Sequence, residues 1–121
     1  MEERKLPLEG LKVIELGTHF AVPSVTRMLA DWGAEVVKVE SIAGDAWRIV
    51  GRNQKCPITD EENPFFMVPN ANKKFVALNL KEKQGKEALI KLIGTAEIFI
   101  SNMRMPALTK LGFDYQQLSK R

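Results

Sequence analysis

Two rhythms of apolar residues run along the chain. Short, unbroken apolar runs bounded by glycine predict buried strands, and apolar residues recurring every three or four positions predict helices. Residues 11–16, LKVIEL, lie between Gly10 and Gly17 and predict a first strand. Pro23 can open a helix at its first position, where the missing N–H costs nothing. Val25, Met28, Leu29 and Trp32 then predict one core-facing stripe, with Trp32 in the core and Gly33 as the stop. Residues 34–40, AEVVKVE, predict a second strand, with Val37 and Val39 on one face and Val36 and Lys38 on the other. Joints this short make a right-handed βαβ unit with parallel strands.

Residues 41–72 hold Gly44, Gly51, Pro57, Pro64 and Pro69 and read as a loop-rich stretch, too long for an ordinary connector and the least ordered region expected. Residues 75–80, FVALNL, predict a third strand. KQGKEALIKLIG, with Ala88, Leu89, Leu92 and Ile93 on one face, predicts a helix ending at Gly94. Residues 97–101, EIFIS, predict a fourth strand, and residues 106–112 a short helical turn. Asp114 and Gln117 have the spacing of a capping box for a last helix. The alternation predicts an α/β fold with a parallel sheet. A capped helix of one turn, and sheet edges left to cover, make the chain read as the front portion of a larger protein. No internal repeat or low-complexity segment is visible.

Composition narrows the picture little. The 121 residues suit one domain, and 45% apolar with 27% charged residues is globular usage. A formal net charge of +3 from scattered lysines and arginines does not argue for nucleic acid. A single cysteine, Cys56, excludes an internal disulfide and suits a reducing cytoplasm. No apolar run is long enough to span a bilayer, and MEERKLPLEG lacks the apolar core of a signal peptide. The single histidine, His19, excludes a histidine-based metal cluster, and no metal is expected.

The turn after the first strand is the most unusual local feature. Gly17 stands alone before Thr18, His19, Phe20 and Ala21, so the GxGxxG dinucleotide fingerprint is absent. Glu40, at the end of the second strand, is therefore not read as a ribose ligand. Ligands of open parallel sheets sit at the carboxyl ends of strands, and backbone N–H groups of such a turn can hold a carbonyl or phosphate oxygen. A turn histidine with no ligand role is the alternative for His19.

Three blocks carry a resemblance. They are Leu29-Ala30-Asp31-x-Gly33-Ala34-Glu35-Val36-x-Lys38-Val39-Glu40, then Gly44-Asp45-x-x-Arg48, then Asn72-Lys73-Lys74 before Leu78-x-Leu80-Lys81. In this order and spacing the chain, from Leu6 to Leu118, resembles the amino-terminal part of the class III (CaiB/BaiF-like) CoA-transferases. EENPFFMVPNANKKFVALNLK and ISNMRMPALTKLGFDYQQL most resemble the 2-hydroxyacid branch, which includes the phenyllactate and 2-hydroxyisocaproate CoA-transferases of amino-acid-fermenting anaerobes.

The resemblance implies a Rossmann-like parallel sheet with flanking helices, with residues 1–121 as the CoA-binding front of a larger α/β domain. It implies transfer of CoA from an acyl-CoA to a carboxylic acid. An aspartate attacks the thioester, and mixed anhydride and enzyme thioester intermediates follow. That aspartate is expected beyond residue 121, because Asp31, Asp45, Asp60 and Asp114 do not sit in its motif. The isolated chain is thus expected to be inactive. A cytoplasmic, interlinked homodimer is implied for the full-length protein, with acyl-CoA and a small acid as its partners.

The implied CoA contacts are Thr18, His19, Phe20 and Ala21 after the first strand, Leu78 and Lys81 after the third, and Asn102, Arg104 and Lys110 after the fourth. Some family members carry arginine just after the second-strand glutamate, where this chain has Ser41. Asp45 and Arg48 are read as an ion pair fixing a structural turn, with shaping of the active-site side as the alternative. Trp47 lines either a substrate opening or a partner surface, and Met67, Met103 and Met105 read as packing. The competing function is a non-catalytic α/β domain that binds a nucleotide or mediates assembly.

Overall fold

The computed structural model describes residues 5–56, 58–59 and 61–121. Strands β1 (Lys12–Leu16), β2 (Glu35–Glu40), β3 (Lys74–Ala77) and β4 (Ile98–Ser101) form one sheet in the order β3-β2-β1-β4, with every neighbouring pair parallel. The helices are α1 (Ala21–Asp31), α2 (Trp47–Asn53), α3 (Pro64–Asn70), α4 (Lys83–Ile93), α5 (Met105–Leu111) and the single turn α6 (Tyr115–Leu118). The α/β class, the four strands and their parallel sense agree with the sequence reading. Among the described residues, no helix is long and apolar enough to cross a membrane.

Alternation along each strand divides the core between the two faces of the sheet. Ile14, Leu16, Val37 and Val39 pack with Leu89 of α4, Leu108 of α5 and Phe113. Val13 and Val36 pack with Ala30 of α1 and with Ala34 on the opposite face. Register places Ile14 beside Val37 and Phe99, and Glu15 beside Lys38 and Ile100. Charges therefore enter the α1 face of the sheet one step beyond its apolar residues.

That charge step explains why α1 departs from its predicted orientation. Its buried residues are Pro23, Thr26 and Ala30, while Val25, Met28 and Trp32 are 47%, 52% and 52% exposed. The small side chains let the helix approach the sheet, and the Thr26 hydroxyl donates to buried Glu15. Trp32 is therefore not core. Of the three methionines read as packing, Met103 packs against the core, whereas Met67 and Met105 are largely exposed.

Residues 41–72 are also more regular than their glycines and prolines suggested. Pro64 occupies the first turn of α3, and the Asn63 side chain accepts from the Phe66 N–H at 3.2 Å. The Asn63 Nδ2 donates to the Arg48 carbonyl, tying α3 to α2. Proline here marks a helix start. Pro57 and Asp60 lie outside the described residues. At the other end of the chain, Asp114 accepts from the Gln117 N–H at 2.9 Å, and the Gln117 side chain returns to the same carboxylate.

One close approach in α4 is testable. A Cβ on Gly85 would lie 2.1 Å from the Asn79 carbonyl oxygen, a backbone atom. In an exposed helix Gly→Ala gains about 1 kcal/mol. Here the collision reverses the sign, and Gly85→Ala should cost about 1–3 kcal/mol, as overpacking does. Urea unfolding of the two proteins measures it, and an unchanged or raised midpoint refutes the contact.

Candidate ligand cleft at the carboxyl end of the sheet

The carboxyl ends of β1 and β2, and the segment that follows β3, open onto a cleft of about 830 Å³. Its walls are Leu16–Thr18 after β1, Val39–Asp45 around the end of β2, and Leu78–Lys81, with Met103 and Leu111 closing one side. The lining is mainly apolar, with Lys81 and Thr18 among its polar groups. This is where an open parallel sheet places a ligand.

The expected contact residues divide by position. Thr18, Leu78 and Lys81 line the cleft. His19 and Phe20 lie beside it against Trp47, with ring centroids 6.0 and 5.9 Å away, and Ala21 begins α1. Asn102 braces the turn, its Oδ1 accepting from the Thr18 N–H at 3.0 Å and its Nδ2 donating to the Thr18 carbonyl at 2.8 Å. Arg104 is the N-cap of α5, and Lys110 lies exposed in its last turn. These two flank the lining residues Met103 and Leu111 and are not themselves on the wall.

The turn's amides are only partly available. Thr18 N–H is engaged by Asn102, and His19 N–H by Asp45 Oδ1 at 3.1 Å. Among the described residues, the amides of Phe20, Ala21 and Val22 have no acceptor. Three successive free donors at the start of an eleven-residue helix give local positive polarity at the amino end of α1.

Beneath the turn lies a charge cluster whose full membership sequence reasoning did not give. The side chains of Glu15, Lys38, Asp45 and Lys73 are all fully buried. Lys38 Nζ donates to Glu15 Oε1 and to the Gly17 carbonyl, each at 2.8 Å, and lies 3.0 Å from Asp45 Oδ2. Lys73 Nζ donates to Glu15 Oε2 and the Pro23 carbonyl, each at 2.8 Å, and to Asn70 Oδ1 at 3.0 Å. Two charges of each sign make the cluster neutral.

The ion pair expected within the Gly44-Asp45-x-x-Arg48 motif does not form. Arg48 instead forks onto Glu40, with Nη2 2.7 Å from Oε1 and Nε 2.9 Å from Oε2, and its guanidinium stacks 3.7 Å over the Phe66 ring. Asp45 turns inward to Lys38. Burial favours the neutral form of Glu40, but Arg48 and the Asp45 N–H outweigh it and hold the carboxyl below its ordinary range.

A signal for part of this cluster exists in the sequence. Glu15 and Lys38 are two of the charged positions within runs otherwise read as buried strands, and parallel register sets them side by side. Lys73 carries no comparable local signal, because its partner is 58 residues away.

The architecture is that of an α/β domain whose cleft is built from strand ends and one glycine-poor turn. The CoA-transferase family III model matches residues 8–121, and the chain belongs to that family. It is 48% identical over 114 residues to (R)-2-hydroxy-4-methylpentanoate CoA-transferase of Clostridioides difficile, covering 94% of this chain and 29% of that protein. It is 42% identical over 121 residues to cinnamoyl-CoA:phenyllactate CoA-transferase of Clostridium sporogenes, covering 100% of this chain and 29% of that protein. A crystal structure of a CaiB/BaiF family protein from Brucella suis superposes with a TM-score of 0.87 at 34% identity, over 97% of this chain and 31% of that one. The chain thus spans under a third of the length of these relatives.

The buried lysine gives a pH prediction. Burial pulls the Lys73 ammonium from 10.5 to about 8, against the opposing pull of Glu15. Between these values the unfolded chain still holds a proton that the folded chain has released. The Lys73 contribution to stability therefore rises with pH from about 8 to about 10.5 and is flat below. Wild type should gain on Lys73→Met across that window in paired urea unfolding, and a falling difference would contradict the assignment.

Proposed function

We propose that this chain is the CoA-binding segment of an enzyme that moves CoA from an acyl-CoA to a 2-hydroxy acid. The main support is the cleft, with Lys81 on its wall and the free amides of Phe20, Ala21 and Val22 at its side, in a chain of CoA-transferase family III. The acid class follows the two relatives above, whose names both carry a 2-hydroxy acid.

In this reading the apolar lining takes the uncharged parts of CoA, and the free amides face a carbonyl or phosphate oxygen. Lys81, Arg104 and Lys110 supply positive charge to the phosphates. Thioester attack requires a free, aligned carboxylate. The carboxylates that line the cleft are Glu40 and Asp45, and both are held in ion pairs. The nucleophilic aspartate is accordingly assigned to polypeptide outside these 121 residues.

The test is thermal unfolding of the chain with increasing CoA. Binding to the folded state alone adds about 2.7 kcal/mol at a hundredfold excess over Kd. Lys81→Ala should weaken the response several-fold, and the isolated chain should show no sustained transfer between acyl-CoA and acid. A midpoint indifferent to CoA but raised by unrelated nucleotides would favour a general nucleotide-binding domain. Turnover that copurifies with the chain would overturn the assignment of the nucleophile.

A further inference from the structure

We propose that Asp45 is a positioning residue that, clamped by Lys38, sets the conformation of the Gly17–Phe20 turn and thereby its affinity for CoA. The inference rests on the cleft's being a CoA site, and it concerns a residue that does not contact the ligand.

His19 has a φ of 64°, in the left-handed region, which a residue with a Cβ occupies only at a cost. Something must hold it there. Asp45 Oδ1 accepts from His19 N–H at 3.1 Å and from Trp47 N–H at 2.9 Å. One carboxylate oxygen thus joins the turn to the start of α2. The other oxygen lies 3.0 Å from Lys38 Nζ, which also donates to the Gly17 carbonyl. Lys38 and Asp45 therefore grip the turn at two points, one through a carbonyl and one through an N–H. The Asp45 N–H is in turn held by Glu40 Oε2 at 2.8 Å.

The consequence for binding follows from which amides remain. With His19 fixed, the next three donors are left without internal acceptors and point from one preset geometry. A turn free to leave the left-handed region would have to be ordered on binding, and affinity would fall accordingly. Asp45→Asn keeps the shape but sets a neutral group against the Lys38 ammonium. Asp45→Ala removes the acceptor altogether.

The experiment combines residue-resolved amide exchange with CoA titration on the 121-residue chain. Val36→Ala serves as the control, because it loosens the core at the amino end of β2, away from the cleft. The expected result is that Asp45→Ala raises exchange at His19 at least tenfold beyond the change at strand amides, and weakens CoA about tenfold. Asp45→Asn should fall between it and wild type. Val36→Ala should raise exchange broadly and leave the CoA Kd unchanged at a temperature where it is folded. Exchange that rises only in step with global stability, or a Kd that Asp45→Asn leaves unchanged, overturns the inference. If neither Asp45 variant folds, wild type alone still decides. A His19 amide that exchanges as fast as an unprotected one refutes the clamp. A wild-type chain that fails to bind CoA sinks the functional reading, while the exchange data still judge the turn.

Discussion

Glu15 is the residue on which the rest of this structure turns. It sits fully buried in β1, and each of its carboxylate oxygens takes one lysine. Burying an unpaired carboxylate would be prohibitive, so the two lysines are conditions of its being there. Each lysine is in turn surrounded by three oxygens, drawn from different elements. Lys38 joins β2 to β1, the turn and the loop before α2. Lys73 joins the approach to β3 to β1, α1 and α3. Replacing such a cluster wholesale by apolar residues need not destabilise a protein. Removing one member typically costs about 3–5 kcal/mol, because it leaves a partner charged and buried. The cluster is thus better understood as fixing which elements meet, and in what register, than as the main source of stability.

That constraint reaches the cleft through geometry. Apolar packing on the two faces of the sheet fixes the strands, but it does not specify a turn of Thr18, His19 and Phe20. Directed polar contacts do. Asn102 takes the Thr18 peptide from the β4 side, and Asp45 takes the His19 N–H from the α2 side. The turn is held between two side chains from opposite directions, and the donors it leaves free are those that begin α1.

The sequence made the strands legible because short apolar runs between glycines have few other readings. It made the parallel sense of β1 and β2 legible because the joints around α1 are short. The α1 face was misread because hydrophobicity alone favours Val25, Met28 and Trp32, whereas the buried stripe was chosen by size and by the Thr26 hydroxyl. Within residues 41–72, α3 was missed because proline at a helix start looks, locally, like proline in a loop. At the site, the position of the cleft and of Thr18, Leu78 and Lys81 was readable from strand ends. The cluster beneath was not fully readable. Register pairs Glu15 with Lys38, but no local pattern brings Lys73 across the chain.

The same distinction explains what kind of residue carried the family resemblance. Lys38, Glu40, Asp45, Arg48 and Lys73 all lie in the three blocks on which it rested, and all are committed to ion pairs within the chain. Side-chain identity is constrained most tightly where a buried charge must meet a specific partner at hydrogen-bond distance. On the cleft wall the demands are looser. A free backbone N–H asks only that its residue be there, and an apolar wall accepts several side chains. A signature rich in internal ion pairs can therefore identify the fold while containing no unpaired carboxylate.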